Sequence, residues 1–112
     1  MDNSQNVTVD PTTATFPATG GNSIHFLSST AESRIAFKVK CSNNDQYRVR
    51  PVFGFLEIKG RTKLEILRLD GPAKDDKLAV LWAEVPADEI EPWAPFKAGS
   101  QMGDITIQLK AT

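Results

Sequence analysis

The chain of 112 residues carries 13 Lys or Arg against 14 Asp or Glu, and 40% of its residues are hydrophobic. This length and composition suit one soluble globular domain that can bury a core without disulfides. The net charge of −1 disfavours a nucleic-acid partner, because proteins that bind phosphates usually carry net positive charge. No apolar run approaches the roughly 18 residues needed to cross a bilayer, so direct membrane insertion is not expected.

The charges are distributed unevenly along the chain. Residues 1–33 hold three acidic residues and no Lys or Arg, residues 34–69 hold nine Lys or Arg against three acidic residues, and residues 70–112 hold four against eight. A basic middle between acidic ends favours a protein partner of opposite charge. Such a partner is either an acidic peptide or a second copy of the chain.

The first part of the chain predicts a polar tail and a broken strand. Residues 1–6 are expected to be a disordered N-terminus, followed by a single domain over 7–112. The first strand covers 7–10, stops at Pro11 and resumes over 13–16, as a proline kink at a sheet edge would produce.

The next strand, 23–29, alternates apolar and polar side chains. We expect Ile24 and Phe26 to face inward. His25 lies between them on the polar side, and is therefore expected at the surface.

The most regular alternation lies over 34–42 and 47–50. The inward set is predicted to be Ile35, Phe37, Val39, Cys41, Tyr47 and Val49. The outward set includes Arg34, Lys38, Lys40, Ser42, Arg48 and Arg50. If the two strands pair through the polar turn 43–45, their cations share one face and favour a counter-charged protein or peptide. The alternative is solvated charge that prevents pairing at a sheet edge.

The remaining strands are predicted over 54–58, 61–69, 77–85 and 104–110. In the strand over 61–69, Leu64 and Ile66 lie on one side while Leu67 and Leu69 lie on the other, which predicts a bulge or burial on both sides. About seven short strands without a long helix or an internal repeat predict an all-β sandwich. A small barrel is the alternative.

Catalysis is not predicted from the residue types present. Cys41 lies on an apolar side and is expected to be a buried, inert thiol, so an enzyme would require it to be exposed and paired with His25. One cysteine and one histidine do not supply the four ligands of a structural zinc site. We expect no catalytic residue, metal or cofactor, and a lone cysteine suits a reducing, cytosolic compartment.

Aromatic and acidic residues occur together after the strand over 77–85. Trp93 and Phe96 are expected to plug one end of the sandwich, whereas exposed together they would mark an interface. The neighbouring acids Asp88, Glu89 and Glu91 are interpreted as solvated loop charge, because paired catalytic carboxylates lie apart in a groove.

Three stretches of the sequence resemble the major sperm protein (MSP) domain family. The best match comprises Phe37, Lys38, Val39, Lys40, Tyr47, Val49, Pro51, Gly54 and Leu56, and the others lie over 7–16 and 76–80. The chain is most similar to the short sperm-specific MSP-like proteins of nematodes. The resemblance implies a seven-stranded, immunoglobulin-like β-sandwich similar to pilus chaperone domains. It also implies a cytoplasmic place in the sperm cytoskeleton or pseudopod.

The resemblance implies two functions. Nematode major sperm proteins dimerise and assemble into filaments that drive crawling sperm. The resemblance therefore implies a non-enzymatic cytoskeletal or protein-interaction module that binds copies of itself or other MSP-family proteins.

Membrane-contact-site relatives bind acidic, phenylalanine-containing peptides through the sequence K-V-K-T-T and a later K-x-M. Lys38 and Lys40 match the first motif with Ser42 in place of a threonine, and Lys77 matches the second with Ala79 in place of methionine. The alternative function is therefore an adaptor for acidic peptides.

Overall fold

The computed structural model describes residues 6–112. The predicted disordered N-terminus, residues 1–6, lies outside this range except for Asn6. Nine strands and one helical turn follow along the described residues: β1 (Val7–Asp10), β2 (Thr13–Phe16), β3 (Gly21–Ser29), β4 (Arg34–Cys41), β5 (Tyr47–Arg50), β6 (Phe53–Leu56), β7 (Arg61–Arg68), β8 (Asp75–Val85), α1 (Ala94–Lys97) and β9 (Gly103–Ala111). Over the same residues, no helix has the length and apolar character needed to cross a membrane.

The strands form a four-stranded sheet of order β1-β3-β7-β5 and a five-stranded sheet of order β2-β9-β8-β4-β6. β2 and β9 are parallel, whereas the other neighbours are antiparallel. The two sheets enclose the core and confirm the predicted β-sandwich. The predicted break at Pro11 is also confirmed, because β1 and β2 lie on either side of it at the edges of different sheets. Because β1 and β2 are separate strands, the described residues form more than the seven strands expected.

The core consists of inward side chains from both sheets. The predicted inward residues that are buried are Ile35, Phe37, Val39, Tyr47, Leu64 and Ile66, and Val80 and Trp82 of β8 are buried with them. Cys41 and Val49 are half-buried and pack against this cluster. The inward side of β4 therefore agrees with the alternation of its sequence.

A row of close contacts crosses the inner side of the five-stranded sheet. Phe37 pairs with Gly54 on one side and Trp82 on the other, and Trp82 pairs with Gly103. A Cβ atom on Gly54 would lie 2.6 Å from the Phe37 ring, and one on Gly103 would lie 2.7 Å from the Trp82 ring. Each aromatic ring occupies the space of a side chain on the next strand, so both positions require glycine.

The orientation predicted for β3 is wrong. Ile24 is exposed and Phe26 partly exposed, whereas His25 is completely buried. The His25 Nδ1 atom lies 2.7 Å from the carbonyl oxygen of Pro11, and its Nε2 atom lies 2.8 Å from the Ser23 hydroxyl. These hydrogen bonds satisfy both ring nitrogens, which removes most of the cost of burying the imidazole.

The pairing predicted between β4 and β5 is also wrong. β4 pairs with β6 and β8, whereas β5 pairs with β7 in the other sheet. The turn between them crosses from sheet to sheet, and the Asn43 side-chain oxygen accepts hydrogen bonds from the backbone N–H groups of Asp45 and Gln46. The cations expected on one face therefore divide between two faces. Lys38 and Lys40 lie on the outer side of β4, and the two arginines of β5 lie on the opposite face of the sandwich.

β7 is regular along its length. Its pairing with β3 and β5 is continuous, and both Leu67 and Leu69 are exposed. The predicted bulge or two-sided burial is therefore wrong, because the outward leucines lie on an open sheet face and in the following turn.

Arg68 is the buried cation of β7, with only 1% of its surface exposed. Its guanidinium donates hydrogen bonds to the carbonyl oxygens of Ala18, Gly71 and Pro72 and to the Tyr47 hydroxyl. Arg68 thus ties together three separate segments at one end of the sandwich. Arg68 is not among the residues predicted from the sequence.

Candidate protein-interaction surfaces

Three predicted binding residues meet on the outer face of the five-stranded sheet. Lys40 points outward from β4, Ser42 follows that strand, and Lys77 lies on the neighbouring β8. They line a shallow groove with Ala79 and Leu81, which we call the lysine groove. A cationic surface with small apolar side chains suits an acidic chain that carries an apolar side chain.

The Ser42 side chain holds the lysine groove in shape. Its hydroxyl donates a hydrogen bond to Asp76 Oδ1 over 3.2 Å and accepts one from the backbone N–H of Lys77 over 3.0 Å. The Asn43 amide donates to Asp76 Oδ2 over 3.1 Å. Ser42 therefore fixes the ends of β4 and β8 relative to each other, and both of these hydrogen bonds engage its hydroxyl group.

Asp104 of β9 borders the lysine groove and is exposed. Its position follows from the strand register, because Leu81 of β8 pairs directly with Asp104. A carboxylate beside Lys40 and Lys77 weakens the attraction of an acidic ligand. Sequence alternation places Asp104 on an outward side but does not reveal which cations lie near it.

Trp93 and Phe96 form an aromatic cluster with Phe53 of β6. The ring centroids of Trp93 and Phe96 lie 6.4 and 6.3 Å from that of Phe53. Lys38 Nζ lies 5.6 Å from the Phe53 centroid, so Lys38 belongs to this cluster. The cluster packs outside the core, so the prediction that Trp93 and Phe96 plug an end of the sandwich is wrong. Trp93 is 39% exposed, and the role of the pair as an interface stays a prediction.

Arg48 and Arg50 lie on the outer face of the four-stranded sheet. Arg50 Nη2 lies 2.8 Å from Glu65 Oε1. This hydrogen bond, aided by one from Asn22, lowers the pKa of the Glu65 carboxyl below its ordinary value. Arg50 therefore has a counter-charge within its own chain, which makes it a weaker candidate for binding an acidic partner than Arg48.

Cys41 and His25 do not form a catalytic pair. The ring nitrogens of His25 bond to Ser23 and Pro11, and the Cys41 thiol donates to the Asn43 carbonyl oxygen over 3.4 Å. Burial raises the pKa of the Cys41 thiol although the hydrogen bond with Asn43 opposes the shift, which is the reverse of an activated nucleophile. Among residues 6–112, no group of three or more His, Cys, Asp or Glu side chains could hold a metal ion.

Comparisons with known sequences cover nearly the whole chain. Residues 6–104 match the MSP (Major sperm protein) domain. Sperm-specific class P protein 32 of Caenorhabditis elegans is 62% identical, over 93% of this chain and 97% of the relative. Sperm-specific class P protein 34 of the same species is 58% identical, over 94% and 98%.

Solved structures agree with this match. The C. elegans MSP family member WR4 superposes with a TM-score of 0.95 at 56% identity, over 97% of this chain and 100% of that one. The PapD-like domain of human CEP192 superposes with a TM-score of 0.69 at 15% identity, over 96% and 84%, which shows the fold alone. The chain belongs to the MSP domain family and has its immunoglobulin-like β-sandwich fold.

Proposed function

We propose that this protein is a non-enzymatic protein-interaction module of nematode sperm, and that it acts in the cytoplasm with the MSP-based cytoskeleton of the pseudopod. The similarity to sperm-specific class P proteins over almost the full length of each chain carries this proposal. The exposed lysines of the lysine groove support a binding role. The separate hydrogen bonding of His25 and Cys41 supports a role without catalysis.

Binding to MSP filaments tests the proposal directly. The purified chain is expected to sediment with filaments of a nematode major sperm protein at low salt, and to remain in the supernatant without them. Lys77→Glu should reduce the bound fraction, because it reverses a charge in the lysine groove. Lys63→Glu is the matched control, since it makes the same change at an exposed residue of the opposite sheet.

The location of the protein in sperm tests the proposal that it acts with the cytoskeleton. Antibody staining is expected to concentrate in the pseudopod, and removal of the protein should slow crawling. Uniform staining, unchanged crawling and no sedimentation with filaments would together contradict the proposal.

A second candidate function is an adaptor for acidic, phenylalanine-containing peptides. The lysine groove favours it, because Lys40 and Lys77 line it together with the apolar side chains of Ala79 and Leu81. Ala79 offers little apolar contact to an aromatic anchor, and Asp104 repels acidic residues. We therefore expect a Kd no tighter than tens of micromolar, or roughly −6 kcal/mol, dominated by charge.

An acidic phenylalanine-containing peptide, titrated while amide chemical shifts are followed, tests the adaptor function. Shifts are expected at Lys40 and Lys77, and the affinity should fall with salt because exposed charges are screened over about 8 Å at physiological ionic strength. Submicromolar affinity that persists in high salt would make the adaptor the better proposal. A spectrum without shifts at Lys38, Lys40 and Lys77 at low salt would exclude it.

A further inference from the structure

A second cavity lies between the edges of the two sheets, where β4 extends beyond the end of β6. β6 pairs with β4 only from Ile35 to Lys38, which leaves a gap between the last residues of β4 and the strand β5. We call this gap the edge cleft. The apolar part of its lining consists of Val39, Cys41, Tyr47, Val49 and Val52. Val52 is 47% exposed and Cys41 and Val49 are half-buried, so these three side chains are accessible from outside, whereas Val39 and Tyr47 are buried.

The rim of the edge cleft is cationic. Lys40 is exposed at one side. The Arg48 guanidinium is held at the other side by hydrogen bonds to the carbonyl oxygens of Asn44 and Tyr47, over 2.6 and 2.9 Å. The described residues that line the cleft include no Asp or Glu. An apolar cavity with a cationic rim suits an apolar side chain flanked by acidic residues.

The chain itself carries a segment with this chemistry. Ile90 is 83% exposed, more than any other large hydrophobic residue among the described ones. It is flanked by Asp88, Glu89 and Glu91. Single exposed apolar residues are common on proteins, but three acidic neighbours give this one a specific complement. We call residues 88–91 the acidic knob.

The acidic knob is held in a defined conformation. Arg34 Nη1 donates a hydrogen bond to the Glu89 carbonyl oxygen over 2.6 Å, while Arg34 Nε pairs with Glu57 over 3.0 Å. The Glu89 carboxylate accepts hydrogen bonds from the backbone N–H groups of Ile90 and Glu91. These contacts present Ile90 to solvent on an ordered loop, which reduces the entropy lost when a partner binds.

The acidic knob and the edge cleft lie at opposite ends of β4. Arg34, which holds the knob, begins the strand, and Lys40, at the cleft, lies six residues further on. At about 3.3 Å for each residue this separates them by about 20 Å. The knob cannot reach the cleft of its own chain while it stays bound to Arg34.

We propose that the acidic knob of one copy docks into the edge cleft of a second copy. Ile90 enters the apolar cleft, and the acidic side chains of the knob face Lys40 and Arg48. This inference rests on the proposed interaction function and names its partner as a second copy of the chain. The two surfaces differ, so the contact is heterologous and association continues beyond a dimer into rings or filaments.

Sedimentation velocity over a concentration series at low and high salt tests this contact. The unmodified chain is expected to form species larger than a dimer at low salt and high concentration. Ile90→Ser should weaken association about tenfold or more, because it removes the burial of an isoleucine. The matched control is Ile58→Ser, at a residue that is 55% exposed in a different turn, and it should leave association unchanged.

Mixing two variants tests whether the contact is head to tail. Ile90→Ser keeps the edge cleft, whereas Lys40→Glu combined with Arg48→Glu keeps the acidic knob. At a concentration where the unmodified chain is half associated, neither variant alone should associate appreciably, but an equimolar mixture should form a heterodimer and nothing larger. Amide spectra matching those of the unmodified chain would show that both variants are folded.

Three results would overturn the inference: an unmodified chain that stops at a dimer or stays monomeric, an Ile90→Ser variant that associates like the unmodified chain, or folded variants that stay monomeric when mixed. Binding to MSP filaments by a chain that fails these tests would leave the proposed function standing. Failure to bind filaments as well would overturn both.

Discussion

Arg68 and Lys40 both belong to the basic middle of the chain, but they occupy opposite environments. Arg68 is buried and donates to four neutral oxygen acceptors, whereas Lys40 is exposed and borders both the lysine groove and the edge cleft. Burial of a charge is tolerated only where hydrogen bonds replace its water. The positive charge over 34–69 is therefore divided between the interior of the fold, where it is hydrogen-bonded, and the surface, where it is solvated.

The interior is expected to be far more sensitive to substitution than the surface. Phe37→Ala should lower the free energy of unfolding by about 3–5 kcal/mol, because it removes a completely buried ring and leaves a cavity. Chemical denaturation measures the change. Lys63→Ala, on the outer face, is the reference and should stay within about 0.5 kcal/mol of the unmodified chain. A Phe37→Ala cost below about 1 kcal/mol would contradict the core described here.

Arg68→Met should cost about 2–4 kcal/mol, because four acceptors around the guanidinium lose their donor while the apolar volume is largely kept. Lys40→Met is the exposed counterpart and should cost less than about 0.5 kcal/mol. The same denaturation measurement compares them. Equal losses of unfolding free energy in the two variants would show that water replaces the hydrogen bonds of Arg68. Burial would then give Arg68 no larger role in stability than the exposed Lys40 has.

Asp104 is the acidic residue that borders the lysine groove. Asp104→Asn should tighten the binding of an acidic peptide two- to fivefold at low salt, because an exposed charge pair contributes up to about 1 kcal/mol. The gain should disappear at high salt. Asp10→Asn makes the same change at an exposed residue of the other sheet, and it should leave the affinity unchanged. An equal gain for both variants would indicate net charge rather than the lysine groove.

The smallest expected effect concerns Arg50, a surface cation with a partner in its own chain. The lowered pKa of Glu65 means that this group stabilises the folded state above the ordinary carboxyl pKa, and that the contribution is lost as pH falls through the folded-state pKa. Arg50→Ala should raise the Glu65 pKa towards its ordinary value in a carboxyl NMR titration. Arg48→Ala should not change it. A Glu65 pKa unaffected by Arg50→Ala would show that the ion pair is absent in solution.

Local features of the fold could be predicted from the sequence. The strands and the inward side of β4 follow from alternation, which depends only on neighbouring residues. The break at Pro11 follows from the missing backbone donor of proline. Alternation places Lys40 and Ser42 on the outward side of their strand, the family resemblance adds Lys77, and the pairing of β4 with β8 brings the three together.

Features that depend on distant partners could not be predicted. Apolar and polar residues alternate in the same way whether two strands pair as a hairpin or belong to different sheets. The sequence therefore did not indicate that β4 and β5 lie in different sheets. β3 offers apolar residues on both sides, and the sequence does not show that the His25 ring reaches the carbonyl oxygen of Pro11, 14 positions away. The burial of Arg68 depends on Ala18, which is 50 positions distant.

The glycine and aromatic row inside the five-stranded sheet has a consequence for its outer surface. The inner row is Gly54, Phe37, Trp82 and Gly103, and the outer row one residue along consists of Phe53, Lys38, Leu81 and Asp104. A slip of one residue in any of these strands would drive a side chain into an aromatic ring and reverse the faces of that strand. The positions of Lys38 and Asp104 on the outer face are therefore set by contacts inside the core. Substitution of an inner glycine would therefore change the positions of Lys38 and Asp104 relative to each other, as well as destabilise the sandwich.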